Sequence, residues 1–173
     1  MGFTAWDKLY RSEFLVHSVN EWISDENRLS TKCKLERTEF KKIFVSSELD
    51  WLLKSGDDRI NLAEVQDLYL NLATHTELRV RDLQTDLLLA PSDVGIGISQ
   101  MIPIVVGAIN VRGGILAIEQ PELHVHPSIQ VGMGDLFIFA AQNYANLLTG
   151  HGTTLIIETH TAKHTQHLSL IHI

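Results

Sequence analysis

The chain has 173 residues, 45% hydrophobic and 20% charged: enough apolar mass for one packed domain or slightly more, and too little charge for disorder. No apolar run nears the ~20 residues of a membrane-spanning helix, and MGFTAWDKLY lacks a basic-then-apolar leader, so a soluble, cytoplasmic protein is expected. Cys33, the single cysteine, allows no internal disulfide, and a net charge of −7 disfavours a broad nucleic-acid surface on this segment.

Residues 5–23 set Trp6, Leu9, Phe14, Val16, Val19, Trp22 and Ile23 at mixed helical spacings and predict a helix. Residues 31–46 alternate loosely, as strands of a half-exposed sheet do, and 47–76 is ambiguous between helix and strand. ELRVRD (77–82) and DLLLA (86–90) predict two short strands around a tight connection. Together these elements suggest a small, β-rich α+β subdomain over 1–90.

The character changes at Pro91. Residues 98–110 suit a buried helix with Pro103 in its first turn or so, where a missing N–H costs least. Ile115–Ile118, after Gly113-Gly114, is wholly apolar and predicts a strand covered on both faces. Pro127-Ser128 opens a long helix over about 128–149, with apolar residues at three- and four-residue intervals and Gly150 to end it. Gly132 and Gly134 are out of place inside it, at up to about 1 kcal/mol each relative to Ala. Thr154–Ile157 is a second buried strand. Strand, helix, strand is a βαβ unit, which implies a parallel sheet.

Three segments carry chemistry. Glu119 ends the first buried strand, at the sheet edge where α/β folds bind ligands, and a carboxylate there can hold Mg²⁺. The bland alternative is an acidic residue exposed where its strand runs out. His160 follows the second strand at a matching point and could contact a phosphate or a water, or simply cap the next element. Asp93-Val-Gly95-Ile-Gly97-Ile-Ser99-Gln100 opens a helix whose glycines and free N–H groups suit an anion, or form an ordinary turn with a serine cap.

In order and spacing these segments resemble the second half of an ABC-type AAA ATPase. GISQ resembles the signature, IEQPELHVHP resembles the IEEPExHLHP form of Walker B plus D-loop, and ETHT resembles the switch segment ETHS. The resemblance is to stand-alone ATPases similar to the ATPase domain of OLD nucleases, and more remotely to SMC and RecF proteins. It covers roughly residues 77–161.

It implies an α/β fold: part of a P-loop NTPase parallel sheet over 91–173, preceded by the small α+β subdomain. It further implies ATP and Mg²⁺ as cofactors and a homodimer that sandwiches ATP head to tail. Glu119 would handle Mg²⁺, His160 would contact the terminal phosphate and attacking water, and either Gln120 or Glu122 would serve that water, unless hydrolysis is slow or ATP binding alone is the signal. Gly95, Gly97, Ser99 and Gln100 would meet nucleotide held by the other protomer, with Ser99 turned away from Glu119.

No G-x-x-x-x-G-K-[ST] loop occurs, and past Arg112 the only Lys or Arg is Lys163, whereas seven of nine histidines lie at or beyond His124. The chain is therefore expected to begin inside a longer ATPase and, alone, to turn over nothing. The closing LSLIHI resembles translated adapter sequence more than a family tail. Gln120 stands where many such ATPases have a glutamate; an amide can orient water but cannot take its proton. Two other readings remain: a non-catalytic half-site that needs a partner with a phosphate loop, and a zinc hydrolase built from His124, His126, His160 and Glu119 or Glu122. Nothing in the segment supports nucleic acid as a partner, although that stays open for the parent.

Overall fold

A computed structural model describes residues 2–55, 61–111, 113–142, 153–160 and 166–171, with only the main chain for 2–4, 160 and 166–171. The fold is mixed α/β and divides into two compact units, one of residues 1–36 and 78–173, the other of residues 37–77.

The first unit begins with two helices, α1 (Gly2–Arg11) and α2 (Glu13–Ile23), where one was expected. Ser12 breaks the run. Its backbone is extended and its Oγ accepts from the Leu15 N–H at 3.1 Å, a serine N-cap that starts a new helix. Basic Lys8 and Arg11 close α1 and acidic Glu13 opens α2, each charge complementing its helix dipole.

Strands β1 (Cys33–Lys41) and β2 (Thr74–Asp82) run through both units, and β3 (Leu88–Leu89) pairs antiparallel with β2, giving the order β1-β2-β3. Buried Asn20 of α2 acts toward β1 as a strand neighbour would: its Nδ2 donates to the Leu35 carbonyl at 2.8 Å and its Oδ1 accepts from the Leu35 N–H at 2.7 Å. Arg81 forks onto Glu36 with bonds of 2.6 and 3.0 Å and reaches Asp86 at 2.8 Å. Hydrogen bonding from Arg81 holds the Glu36 carboxyl below its ordinary value.

Helix α5 (Ile96–Asn110) starts two residues before the expected helix, so Pro103 falls in its interior rather than its first turn. Having no N–H, Pro103 leaves the Ser99 carbonyl without its helical donor. Strand β4 (Gly114–Glu119), helix α6 (Pro127–Gln142) and strand β5 (Thr153–His160) follow. The expected continuation of α6 to residue 149 lies outside the described residues. β4 and β5 are parallel, in register from Gly114↔Thr153 to Glu119↔Glu158, and β6 (Gln166–Ile171) pairs antiparallel with β5.

Leu116, Ile118, Leu155 and Ile157 share one buried face of this sheet and join the core formed by Leu9, Val19, Met101, Ile102, Val105, Met133 and Leu136. The other face departs from expectation. Ile115 is 70% exposed and Ala117 is exposed too, so among the described residues β4 is covered on one side only. α5 and α6 both pack on the Leu116 and Leu155 side.

The second unit is slight. It carries α3 (Glu48–Ser55) and α4 (Leu62–Leu70), so the ambiguous stretch 47–76 holds two helices and, from Thr74, the start of β2. Ser47 Oγ accepts from the Asp50 N–H at 3.2 Å, and Asn61 Oδ1 accepts from the Ala63 N–H at 3.1 Å. Lys41 closes α4 by donating to the Tyr69 and Leu70 carbonyls at 2.8 and 3.0 Å.

Candidate functional site

The two apolar strands end together. Glu119 closes β4 opposite Glu158 of β5, and His160 comes two residues further along β5, so all three main-chain positions sit at the carboxyl edge of the parallel pair. The side chain of His160, and hence its expected contact with phosphate, lies outside the described residues. Registered residues of parallel strands point to one side, so Glu119 and Glu158 stand side by side on the open face. Among the described residues neither carboxylate has an ion-pair partner. Sequence reasoning passed over Glu158; the signal available was its position, equivalent to Glu119 at the end of an apolar run.

At Gln120 the chain leaves the sheet. Its N–H still donates to the Glu158 carbonyl at 2.7 Å, but its φ of 49° is left-handed, unusual for a residue with a side chain. A turn follows, closed by Leu123 N–H to the Gln120 carbonyl at 3.1 Å, and another from Val125 N–H to the Glu122 carbonyl at 3.2 Å. Gln130 of α6 reaches back to clamp this loop, donating from Nε2 to the Val125 carbonyl at 3.0 Å and the Glu122 carbonyl at 3.3 Å. His126 occupies the N-terminus of α6, with Nδ1 2.7 Å from Ser128 Oγ.

The loop packs directly on the start of α5. A Cβ at Gly97 would collide with the carbonyl of His124, itself left-handed at φ 61°. Gly97 is thus required by backbone-to-backbone contact inside the chain. Gly95 caps α5 without a side-chain bond and has open space around it. Ser99 Oγ donates to the Ile96 carbonyl at 3.0 Å, leaving its lone pairs free to accept.

Two clefts flank the loop. One of about 530 Å³ is lined by Ser99, Gln100, Glu119 and Gln120 together with Trp6 and several apolar residues. The other, about 270 Å³, holds Glu122 with Gln130, Gly134, Phe137 and Thr159. Pro121 borders both. Ser99, expected to face away from Glu119, lines the same cleft. Gln120 and Glu122, the two alternatives for serving the attacking water, open to different sides.

Among the described residues the larger cleft is lined by one formal charge, that of Glu119, and by no lysine or arginine. It can offer oxygen ligands to a hard cation and amides or a hydroxyl to a polar ligand, but no cationic counterpart for phosphates. Among the described residues no three of His, Cys, Asp and Glu come together as a metal site, and no helix is long and apolar enough to cross a membrane. Comparison of the chain with protein-family models, with curated proteins and with solved structures found no match.

Proposed function

We propose that this chain is the later half of an ABC-type ATPase core, working in the cytoplasm on ATP and Mg²⁺ as part of a homodimer. One observation carries the reading: two apolar strands, parallel and in register, end at the same edge in Glu119-Gln120 and Glu158-Thr159-His160. The motif order GISQ, IEQPELHVHP, ETHT supplies the rest.

On this reading Glu119 holds Mg²⁺, a hard cation suited to carboxylate and water ligands, which neutralises the phosphates when bound. Gln120 shares the Glu119 cleft and orients the attacking water, while Glu122 opens elsewhere and serves the loop. His160 contacts the terminal phosphate. Gly95, Gly97, Ser99 and Gln100 meet nucleotide held by the phosphate loop of a second protomer. The free N–H groups at the start of α5 favour that negative charge.

The lack of lysine or arginine in this cleft among the described residues also favours a second reading: the chain is a half-site that turns over nothing without a partner bearing the phosphate loop. Both readings expect the 173-residue chain alone to bind ATP no tighter than millimolar, measured by titrating labelled nucleotide; micromolar affinity overturns both. They part in a longer polypeptide that includes a phosphate loop. There Glu119→Gln should weaken Mg²⁺-nucleotide binding, and Ser99→Arg should block ATP-driven dimerisation while sparing nucleotide binding. Gln120→Glu should raise steady-state turnover several-fold, since it restores a base beside Glu119. If Gln120→Glu and Glu122→Gln both leave turnover unchanged, the Walker B assignment is wrong.

A further inference from the structure

The start of α5 and the loop after β4 meet main chain to main chain. A Cβ at Gly97 would collide with the His124 carbonyl and stand 3.8 Å from the Cα of Val125. Main chain has no rotamer with which to give way, so segments packed like this move together. The loop itself is tied at each step. Val125 is buried in the core, and Gln130 of α6 holds its carbonyl and that of Glu122. Val125 N–H donates to the Glu122 carbonyl, and Leu123 N–H to the Gln120 carbonyl. Gln120 N–H then fastens the loop to β5 through the Glu158 carbonyl at 2.7 Å. His124 and Gln120 are left-handed, at φ 61° and 49°, conformations that persist in residues with side chains only where the surroundings hold them. Gly97 is one of those holds. It does not line the cleft shared by Ser99 and Gln120, so its influence on Gln120 runs through the loop rather than across the cleft.

We propose that Gly97 is a positioning residue for Gln120. The first turn of α5 and residues 120–125 form one mechanical unit, and a ligand that shifts that turn shifts Gln120 of the same chain through the His124 carbonyl. This role is exerted inside one chain and exists without any ligand, which separates it from contact with nucleotide across a dimer. What the coupling serves rests on the ATPase reading. There, nucleotide held by the other protomer presses on the first turn of α5. The loop relays its presence to the side chain that orients this protomer's own water, and the two sites of the dimer are coupled. Coupling of this kind is reciprocal, so the loop also acts on the first turn of α5.

The test is native-state hydrogen exchange of the 173-residue chain, read amide by amide by NMR, because a claimed route needs measured coupling. Leu155 and Ile157, in the core of β5, report global stability. Gly97→Ala should lower protection of the Gln120 N–H at least about tenfold beyond the loss at those two amides. Gly95→Ala, at a position with open space around it, should produce no such excess. A loss shared equally by Gln120 and the β5 core makes Gly97 a packing glycine only and overturns the proposal. Should Gly97→Ala fail to fold, Gln130→Ala decides from the other side of the loop. It frees the Glu122 and Val125 carbonyls, and the Ser99 N–H, bonded to the Gly95 carbonyl, should lose protection at least about threefold beyond the core. An unchanged Ser99 amide then overturns the proposal. ATP takes no part in either measurement, so failure here leaves the ATPase reading standing, and the outcomes that sink that reading leave the coupling standing.

Discussion

Asn20 does for β1 what a neighbouring strand would do, and few residues can replace it. Asn20→Ala leaves both the N–H and the C=O of Leu35 buried without partners, since Asn20 is 9% and Leu35 1% exposed. An unsatisfied buried group costs about 1–3 kcal/mol, so urea denaturation should find Asn20→Ala less stable by roughly 2–4 kcal/mol. Asn20→Asp retains the acceptor but loses the donor to the Leu35 carbonyl, and should be as damaging at neutral pH. A loss below about 1 kcal/mol in Asn20→Ala means that water reaches Leu35. Gln120 and His124 belong to the same scale. Both are left-handed, and their positions hold through the Gln120 bond to Glu158 and the His124 carbonyl against Gly97. Neither conformation could be read beforehand, because both residues have side chains and neither marks a turn by type.

Among the elements, α6 separates two glycines that looked alike in sequence. A Cβ at Gly132 would stand 2.6 Å from the Arg28 carbonyl, whereas one at Gly134 would meet nothing within 4 Å. Gly134→Ala should therefore raise stability by about 0.5–1 kcal/mol through helix propensity. Gly132→Ala should lower it by roughly 1–3 kcal/mol, as overpacking does. Thermal melts of the two variants should move in opposite directions; parallel shifts would contradict the packing of the 24–31 loop on α6. The β4–α6–β5 unit was legible in sequence because long apolar runs and three- and four-residue periodicity are set locally. The break at Ser12 was missed although its mechanism, a serine N-cap followed by Glu13, was in plain view. Pro103 was misplaced because the two extra residues of α5, Ile96 and Gly97, lie where periodicity is silent. The open face of β4 was unreadable, since apolar residues on both faces say what a strand prefers, not what covers it.

At the scale of the molecule, the two units differ sharply in buried substance. Among the described residues of 37–77 only Leu49 is fully buried, whereas the core of the first unit runs through four helices and both β4 and β5. Regions with few buried contacts open at low free energy. In native-state hydrogen exchange, amides of α3 and α4 should exchange at least about a hundredfold faster than those of α5. Equal protection would show that the chain unfolds as one cooperative whole. The edge shared by Glu119 and His160 followed from strand lengths alone. Which carboxylate or amide opens to which cleft was not legible, because the left-handed turn at Gln120 decides it.

The parallel pairing of β4 with β5 also has a cost in time. Gly114 and Thr153 pair across 153 − 114 = 39 residues, and at roughly 5–20 residues per second of synthesis β4 emerges about 2–8 seconds before its partner. For that interval GILAIE has both edges bare, an apolar template that neighbouring nascent chains can pair with. The yield of folded protein is then a race between the arrival of β5 and association with another chain. Faster elongation or greater dilution favours the native outcome.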